Sequence, residues 1–335
     1  MHYLVTGHTG FKGAWLTFLL KELGHQVSGI SLPPRPSSIY ANSNQNMLMS
    51  SEIFADIRDY ESCYEFIKVA KPDVIIHLAA QPLVRRSYLE TRMTYETNFN
   101  GTLNILEVST SLAIDSTLII TTDKVYKDQN KKTGYTESDP LGGFDPYSNS
   151  KALSDLLAQS YMERHTDKNW GIARAGNVIG GGDDGDERLI SDIYYSIESG
   201  SHLILRNPLA IRPWQYVLDC LYGYYLAVGH LKKVETPIWN FGPNEHFTVN
   251  DFIQVFNSKL GRPISVSKSR DFEFLKETDY LLLNSAKARN ELNWKPKFNF
   301  EQTIESTVEW YAESKRTNFT LATIRQVTKF LNLVS

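Results

Sequence analysis

Residues 2–13 read HYLVTGHTGFKG, an apolar run that ends in three glycines spaced G-x-x-G-x-x-G. Residues 14–20 (AWLTFLL) continue with the apolar pattern of a buried helix. This order of strand, glycine turn and helix is typical of a dinucleotide-binding unit. Gly7 permits the tight turn, Gly10 lets the backbone approach a pyrophosphate, and Gly13 allows the helix to pack closely on the strand. The helix N-terminus then faces the phosphates.

Predicted strands and helices alternate after this unit. The strands are expected near residues 26–32, 53–59, 73–80, 117–120 and 171–175, and the helices at 60–71, at 87–112 and from 147 onward. Such alternation favours an α/β fold with a Rossmann-type, doubly wound parallel sheet, whose ligands lie at the carboxyl ends of the strands.

The second half of the chain has a different pattern. Helical stretches are predicted at residues 219–231, 249–260, 285–292 and 301–314, with short strands such as 238–241 between them. We expect residues 1–176 to form the dinucleotide-binding domain. Residues 177–335 are expected to form mainly a smaller α/β substrate-binding domain, with some segments returning to the first. Residues 320–333 predict one more amphipathic helix, whose docking site the sequence does not indicate.

Composition narrows the class of protein. The chain has 335 residues, 41% hydrophobic and 22% charged, with a net charge of −3. This balance does not indicate binding to nucleic acid or to a membrane surface. Cys63 and Cys220 do not form a disulfide framework, and no apolar run approaches the ~20 residues of a membrane span. No cluster of metal ligands is visible and no leader precedes the first strand, so we expect a soluble cytoplasmic protein without a metal.

The stretch from residue 121 to residue 151 carries groups that can move protons. It begins TTDKVY, directly after an apolar strand, and ends with Tyr147 and Lys151 four positions apart. On a helix these two side chains share one face. A nearby ammonium favours the phenolate, so Lys151 is expected to lower the pKa of Tyr147 and make it a base for an alcohol proton.

The cofactor choice depends on the end of the second strand. In NAD enzymes of this fold an acid follows that strand and binds the adenosine ribose. Here the sequence is SLPPR (31–35), which contains no acid. We expect NAD, but Arg35 could instead bind the 2′-phosphate of NADP, so that alternative stays open.

Six segments together resemble the extended short-chain dehydrogenase/reductase family. They are TGHTGFKGAW (6–15), HLAAQPLVRRSY (77–88), TTDKVY (121–126), ESDPLGGFDPYSNSK (137–151), RAGNVIGGGD (174–183) and RNPLAIRPWQYV (206–217). The glycines and Tyr-x-x-x-Lys mark the superfamily, whereas Thr-Asp-Lys is similar to a nucleotide-sugar 4,6-dehydratase branch. The segment RNPLAIRPWQYV is the most specific of the six, and it resembles the CDP-glucose enzymes of that branch.

The resemblance implies a reaction and assigns roles. A 4,6-dehydratase oxidises its sugar at C4, removes water across C5 and C6, and returns the hydride to C6. Tyr147, assisted by Lys151, would take the C4 hydroxyl proton, and Thr122 would orient that hydroxyl. Lys124 would remove the C5 proton, and Asp123 would protonate the leaving C6 hydroxyl. A lysine base must be neutral, and the charges of Lys151 and of the oxidised nicotinamide would favour the neutral form of Lys124.

The resemblance also implies binding residues. Contacts to NAD are expected from Gly7, Thr9, Gly10, Phe11, Lys12, Gly13, Asp56, Ile57, Leu78, Ala79, Ala80, Asn98, Thr121, Tyr147 and Lys151. Contacts to the nucleotide sugar are expected from Gln81, Arg85, Asn177, Arg188, Leu189, Arg206 and Arg212. A homodimer or a tetramer is expected, formed through the helices near residues 87–112 and 147–165.

Three other functions share parts of this pattern. A UDP-N-acetylglucosamine 4,6-dehydratase of the inverting type also has Asp-Lys, but the arginine-rich segment at 206–217 favours the cytidine enzymes. A sugar-nucleotide epimerase has no need of an acid and a base at Asp123 and Lys124. A cofactor-sensing regulator could dispense with Tyr147, which this chain keeps.

Overall fold

A parallel sheet of seven strands forms the centre of the protein. The computed structural model describes residues 1–205, 207–243, 245–268 and 281–334. Its strands are β1 (His2–Thr6), β2 (Gln26–Ser31), β3 (Ser51–Phe54), β4 (Val74–His77), β5 (Ser116–Thr122), β6 (Asn169–Ala175), β7 (Val178–Ile179), β8 (Leu203–Leu205), β9 (Ile211–Arg212), β10 (Gln215–Tyr216), β11 (Ile238–Phe241), β12 (Phe247–Thr248) and β13 (Val266–Lys268). The large sheet has the order β3-β2-β1-β4-β5-β6-β11.

Helices cover both faces of this sheet. They are α1 (Phe11–Glu22), α2 (Ile39–Asn42), α3 (Tyr60–Ala70), α4 (Val84–Leu89), α5 (Thr91–Tyr95), α6 (Gly101–Ser111), α7 (Pro146–Arg164), α8 (Leu189–Ser199), α9 (Val217–His230), α10 (Val249–Leu260), α11 (Ala286–Leu292), α12 (Phe300–Arg316) and α13 (Phe319–Val334). Successive residues of β1 enter different clusters, with Tyr3 and Val5 facing α1 and α9 and Leu4 facing α3 and α6. Burial on both faces explains why the strands read as continuous apolar runs.

The strand order reverses between β1 and β4. Strand β1 pairs with β2 on one side and with β4 on the other, and Thr6 is in register with Ile30 and His77. The three strands therefore end together, and the connections leave in opposite directions. A crevice forms at such a point, and it is where doubly wound sheets bind their ligands. The predicted Rossmann-type α/β fold is confirmed.

A second hydrophobic cluster lies apart from the large sheet. Helices α8, α10 and α12 form it, with Ile193, Phe252 and Ile304 fully or almost fully buried. Three two-stranded sheets, β7 with β10, β8 with β13 and β9 with β12, belong to the same half of the chain. Strand β11 instead pairs with β6 and extends the large sheet. The domain boundary at residue 176 stays a prediction.

The C-terminal helix α13 packs against α1, α2 and α12. Val327 and Phe330 are buried in the main core, and the hydroxyl of Tyr216 donates to the side-chain oxygen of Gln326. The indole of Trp310 donates to Thr323 at 3.0 Å. Helix α13 therefore covers the outer side of α1. This is the docking site that the sequence did not indicate.

The prediction of a single helix over residues 87–112 is wrong. Glu90 has φ −122° and ψ 51°, outside the helical range, so α4 ends there and α5 begins. A π-helical turn, Glu96–Asn100, then separates α5 from α6. It contains Asn98, which is buried and hydrogen-bonded to the segment after β4. Turns of this kind are frequent at functional sites.

No helix in residues 1–205, 207–243, 245–268 and 281–334 combines the length and the apolar composition that crossing a bilayer requires.

Replacing Asp155 with Asn tests the buried ion pair between Asp155 and Arg174. Two hydrogen bonds, of 2.9 and 2.7 Å, join these side chains, which are 0% and 1% exposed. Removing one charge of a buried pair leaves the other uncompensated, so we expect a loss of about 3–5 kcal/mol in the free energy of unfolding, measured by urea denaturation. Glu65→Gln removes a carboxylate from an exposed pair with Lys68 and should leave the midpoint unchanged. Equal midpoints for the two variants would contradict the prediction.

Candidate active site

Two clefts meet at the carboxyl ends of the central strands. The glycine cleft is lined by the turn after β1, the ends of β2 and β4, Tyr147, Lys151 and residues 183–186. The arginine cleft is lined by residues 82–85, residues 121–124, Arg188, Arg212 and Trp214. Lys12, Tyr147, Asp183 and Arg188 line both clefts. A ligand in one cleft can therefore touch a ligand in the other near these four side chains.

The glycine turn fits a pyrophosphate. Gly7 has φ +77°, and a Cβ there would lie 2.9 Å from the backbone nitrogen of Ala79. A Cβ on Gly13 would lie 2.1 Å from the Gly7 carbonyl oxygen, so only glycine permits the turn to meet α1 this closely. Gly10 begins the helix without a side-chain cap, which leaves the first N–H groups of α1 available for an anion.

The residues predicted to contact NAD converge on the glycine cleft. Gly7, Thr9, Gly10, Phe11, Lys12, Gly13, Asp56, Ile57, Leu78, Ala79, Ala80, Thr121, Tyr147 and Lys151 all line it. Asn98 lies beneath the cleft wall instead. Its amide accepts from the backbone N–H of Gln81 at 2.8 Å and donates to the Gln81 carbonyl at 3.1 Å. Asn98 therefore positions the strand-exit segment that forms the wall.

Helix α7 presents Tyr147 and Lys151 on one face. The carboxylate of Asp145 caps the helix by accepting from the backbone N–H of Ser148 at 2.8 Å. Lys151 is buried and donates to the Ile120 carbonyl oxygen at 2.7 Å, which fixes the helix against β5. The ammonium lies at the floor of the glycine cleft.

The predicted lowering of the pKa of Tyr147 is wrong for the protein by itself. Burial raises that pKa to about 12, against the opposing effect of a hydrogen bond with Thr122. Burial also lowers the pKa of Lys151 to about 8, and the nearby Lys12 ammonium acts in the same direction. The buried site favours the neutral form of each group. Spacing along a helix does not show how much water each group loses, so the sequence could not reveal this.

Thr122, Asp123 and Lys124 end β5 side by side in the arginine cleft. The Thr122 hydroxyl donates to one carboxyl oxygen of Asp123 at 2.9 Å and accepts from the Lys124 backbone N–H at 3.3 Å. Asp123 is 2% exposed, and its second carboxyl oxygen has no hydrogen-bond partner among the described residues. Burial raises the pKa of Asp123, although Lys124 and Thr122 oppose the shift. These features suit an acid that carries a proton toward a ligand.

The predicted sugar-nucleotide residues divide between two locations. Arg85, Asn177, Arg188, Leu189 and Arg212 line the arginine cleft. Gln81 lines the glycine cleft instead, and its amide donates to the Leu83 carbonyl and Thr94 and accepts from the Leu83 N–H. Arg206 lies outside the described residues. The described residues contain no group of three or more His, Cys, Asp or Glu side chains placed to hold a metal.

Asp183 and Trp214 are among the cleft residues that were not assigned from the sequence. Asp183 lines both clefts, is 4% exposed and accepts from Arg188 at 3.0 Å. Trp214 lines the arginine cleft, and its buried indole nitrogen has no partner among the described residues. An acid directly after the glycines at 180–182 was the available signal for Asp183. Trp214 could have been assigned from its place between two arginine-cleft segments.

Known proteins share this architecture. The family model described as "GDP-mannose 4,6 dehydratase" matches residues 4–307. The chain belongs to this family. A CDP-glucose 4,6-dehydratase of Salmonella typhimurium is 38% identical over 326 residues, covering 92% of this chain and 89% of that protein.

Solved structures agree on the fold. A dTDP-glucose 4,6-dehydratase from Bacillus anthracis in complex with NAD has a TM-score of 0.81 and 25% identity, and the match covers 94% of this chain and 98% of that one. A UDP-glucose 4-epimerase from Thermotoga maritima has a TM-score of 0.82 and 22% identity, and the match covers 94% of this chain and 100% of that one. At this identity the similarity shows only a common fold.

Membership of the dehydratase family confirms the predicted enzyme class, a nucleotide-sugar 4,6-dehydratase of the extended short-chain dehydrogenase/reductase type. The fold by itself does not separate dehydratases from epimerases, since both are among its neighbours. The Asp123–Lys124 pair beside Tyr147 is the part of the site that an epimerase does not need.

The raised pKa of Asp123 predicts a stability effect with a definite sign. The folded state holds this proton to a higher pH than the unfolded chain, whose aspartates titrate near pH ~4, so the contribution to stability is lost as pH rises through the folded pKa. Asp123→Asn should therefore gain stability relative to the parent protein as pH increases from 4 to 7, measured by thermal unfolding without ligands.

Asp56→Asn provides a control of opposite sign. Hydrogen bonds from Arg58 lower the pKa of Asp56, so its carboxylate stabilises the fold above pH ~4. This variant should lose stability relative to the parent protein as pH rises from about 2 to about 4, and the difference should then stay nearly constant up to pH ~7. A constant difference between Asp123→Asn and the parent protein from pH 4 to 7 would refute the assignment of a raised pKa.

Proposed function

We propose that this protein converts CDP-glucose to CDP-4-dehydro-6-deoxyglucose and water, with NAD as a cofactor that is restored in each turnover. The 38% identity to a CDP-glucose 4,6-dehydratase supports CDP-glucose as the substrate. The observation that carries the chemistry is the unpartnered carboxyl oxygen of Asp123, buried in the arginine cleft beside Lys124 and in the same lining as Tyr147.

NAD fits the glycine cleft. The close approach of Gly7 to Ala79 and the uncapped start of α1 form a cradle for a pyrophosphate. Lys151 and Tyr147 line the same cleft near its junction with the arginine cleft, where a nicotinamide would meet the sugar. When bound there, NAD would supply the hydride acceptor for C4 and, once reduced, the hydride donor for C6.

Tyr147 takes the C4 hydroxyl proton in the first step. It must be a phenolate to do so, so its own proton first passes to solvent. Burial disfavours that phenolate, and the positive charges of Lys151 and of bound oxidised NAD would offset this effect. The Thr122 hydroxyl is held by Asp123 in the same cleft lining as Tyr147, so it can orient the sugar hydroxyl. Lys151 is fixed on the Ile120 carbonyl oxygen and supplies a positive charge on the cofactor side.

Lys124 and Asp123 perform the elimination. The C4 ketone acidifies the C5 proton, Lys124 removes that proton, and the C6 hydroxyl leaves as water with the proton of Asp123. Asp123 is suited to the role because burial keeps its carboxyl protonated to a higher pH than usual. Lys124 then returns a proton to C5 as the hydride reaches C6, and exchange with solvent removes the proton left on Tyr147 and reprotonates Asp123, which balances the reaction.

The arginine cleft suits a nucleoside diphosphate. Arg85, Arg188 and Arg212 line it and can bind phosphate oxygens in two-point contacts. Asn177 and Trp214 offer an amide and an aromatic ring for the sugar and base. We infer that residues 177–335 bind mainly the substrate and that residues 1–176 bind the cofactor.

We further infer a homodimer, or a tetramer built from it, through the outer face of α7 and the neighbouring segment 87–112. Leu153 and Leu156 on α7 are 38% and 49% exposed, and Leu89 is 87% exposed. Apolar side chains this exposed on adjacent elements are suited to a partner surface. The cytoplasmic location stays a prediction.

A panel of nucleotide glucoses tests the substrate. The purified protein with NAD is incubated with CDP-, UDP-, dTDP- and GDP-glucose and with UDP-N-acetylglucosamine, and loss of water is followed by mass spectrometry. CDP-glucose should lose water fastest. Faster turnover of another nucleotide sugar would overturn the cytidine assignment, and C4 epimerisation without loss of water would overturn the dehydratase reaction.

Lys124→Ala should stop the reaction after the first oxidation. General-base removal costs a factor of about 10²–10⁴ in rate, whereas C4 oxidation precedes that step. With CDP-glucose the variant should accumulate the absorbance of reduced cofactor but release little product. In heavy water the parent protein should place deuterium at C5, and the variant should not. Lys127→Ala changes an exposed lysine three residues further on and should react normally. Product with C5 deuterium at the parental rate from Lys124→Ala would exclude this base.

Tyr147→Phe should abolish C4 oxidation and leave cofactor affinity within about twofold, because only the phenolic oxygen is removed. Cofactor affinity is measured by calorimetry and C4 oxidation by reduced-cofactor absorbance in single-turnover mixing. Tyr195→Phe removes the hydroxyl of a residue that is 70% exposed and serves as the matched control. Parental oxidation rates in Tyr147→Phe would show that another group takes the proton.

A further inference from the structure

The loop after β2 and the glycine-rich loop are joined by Arg35. One guanidinium nitrogen of Arg35 donates to a carboxyl oxygen of Asp186 at 3.0 Å, and the other donates to the second oxygen at 2.5 Å. Arg35 also donates to the Asp184 carbonyl oxygen at 3.1 Å. Ser37 adds a hydrogen bond of 2.9 Å to the Asp184 carboxylate. This two-point pair fixes the plane of the guanidinium as well as its position.

The pair lies at the edge of the glycine cleft where an adenosine ribose is expected. Ser31, Leu32 and Arg35, which follow or end β2, line the cleft together with Asp184 and Asp186. In the dinucleotide fold an acid at the end of the second strand binds the ribose 2′-hydroxyl, whereas an arginine there accommodates a 2′-phosphate. Residues 31–35 contain no acid, but the structure brings two acids to the same place from a loop about 150 residues later.

Among the described residues, each arginine that lines the glycine cleft has a carboxylate partner. Arg35 pairs with Asp186, Arg58 with Asp56, Arg86 with Glu90 and Arg188 with Asp183. A 2′-phosphate would therefore have to displace a carboxylate from Arg35, and the displaced Asp186 would remain beside it as a like charge. A free ribose hydroxyl meets no such cost.

We propose that Asp186 replaces the missing acid after β2: by occupying Arg35 it makes the glycine cleft select a dinucleotide with a free 2′-hydroxyl over the 2′-phosphorylated form. This selectivity rests on the proposed use of NAD. From the sequence, Arg35 could have bound the 2′-phosphate of NADP. Paired with Asp186, it instead contributes to the exclusion of NADP. Asp186 is a specificity-determining residue in this arrangement and takes no part in the chemistry.

Dissociation constants for NAD and NADP, measured by calorimetry without nucleotide sugar, test the proposal. The parent protein should bind NAD more tightly. Asp186→Asn should release Arg35 and tighten NADP binding by about three- to tenfold, a modest factor because Arg35 and Asp186 are 46% and 62% exposed. NAD affinity should stay within about twofold. The gain for NADP should shrink as ionic strength rises.

Two further variants identify the cause. Asp186→Asn combined with Arg35→Ala should lose the gain, since no released guanidinium remains. Glu65→Gln removes the same charge from an exposed pair remote from the cleft and should leave both affinities unchanged. An equal gain in Glu65→Gln would reduce the effect to net charge and overturn the proposal.

The outcomes separate this inference from the proposed function. A protein that binds NAD but keeps its NAD-to-NADP ratio in Asp186→Asn refutes the role of Asp186 alone. Tighter binding of NADP than NAD by the parent protein refutes both the selectivity and the cofactor assignment. Binding of neither dinucleotide overturns the proposed function and this inference with it.

Discussion

The buried ion pair between Arg174 and Asp155 holds together the elements that form the site. Arg174 lies on β6 and Asp155 on α7, and the same carboxylate accepts from Thr121 at the end of β5 at 2.9 Å. Arg174 also donates to the Tyr126 hydroxyl and to the Glu137 carbonyl oxygen, both at 2.9 Å. A buried pair gains little net stability but requires one geometry. That geometry sets where α7 presents its reactive side chains relative to the end of β5.

Burial gives the site a common electrostatic character. It is the largest cause of the raised pKa values of Asp123 and Tyr147 and of the lowered pKa values of Lys12 and Lys151. Each shift favours the neutral form. The shift keeps Asp123 closer to the protonated form that an acid needs, and it makes the phenolate of Tyr147 depend on positive charge nearby. The same desolvation lowers the stability of the folded protein, which is a common cost of an active site.

Local patterns predicted much of the fold and many of the site residues. The glycine turn, the alternation of strands and helices and the capping of α7 at Asp145 all follow from residues close together in the sequence. The residues at the ends of parallel strands converge because such ends meet at one edge of the sheet. This is why the predicted cofactor residues other than Asn98 line one cleft. Gln81 departs from its predicted location because its amide is hydrogen-bonded to Leu83 and to Thr94 of α5.

By itself, the sequence determined the α/β class, the glycine turn and the chemical types of the groups at the strand ends, because periodicity and turn chemistry are local properties. Only the tertiary structure decided the sign of the pKa shift of Tyr147, the break of the helix at Glu90 and the pairing of Arg35 with Asp186. The pKa shift and the pairing depend on burial and on contacts between residues far apart in the chain. The spacing of residues in a sequence does not show how much hydration a group loses or which distant residue it contacts. These features can be known only from the packing of the folded chain.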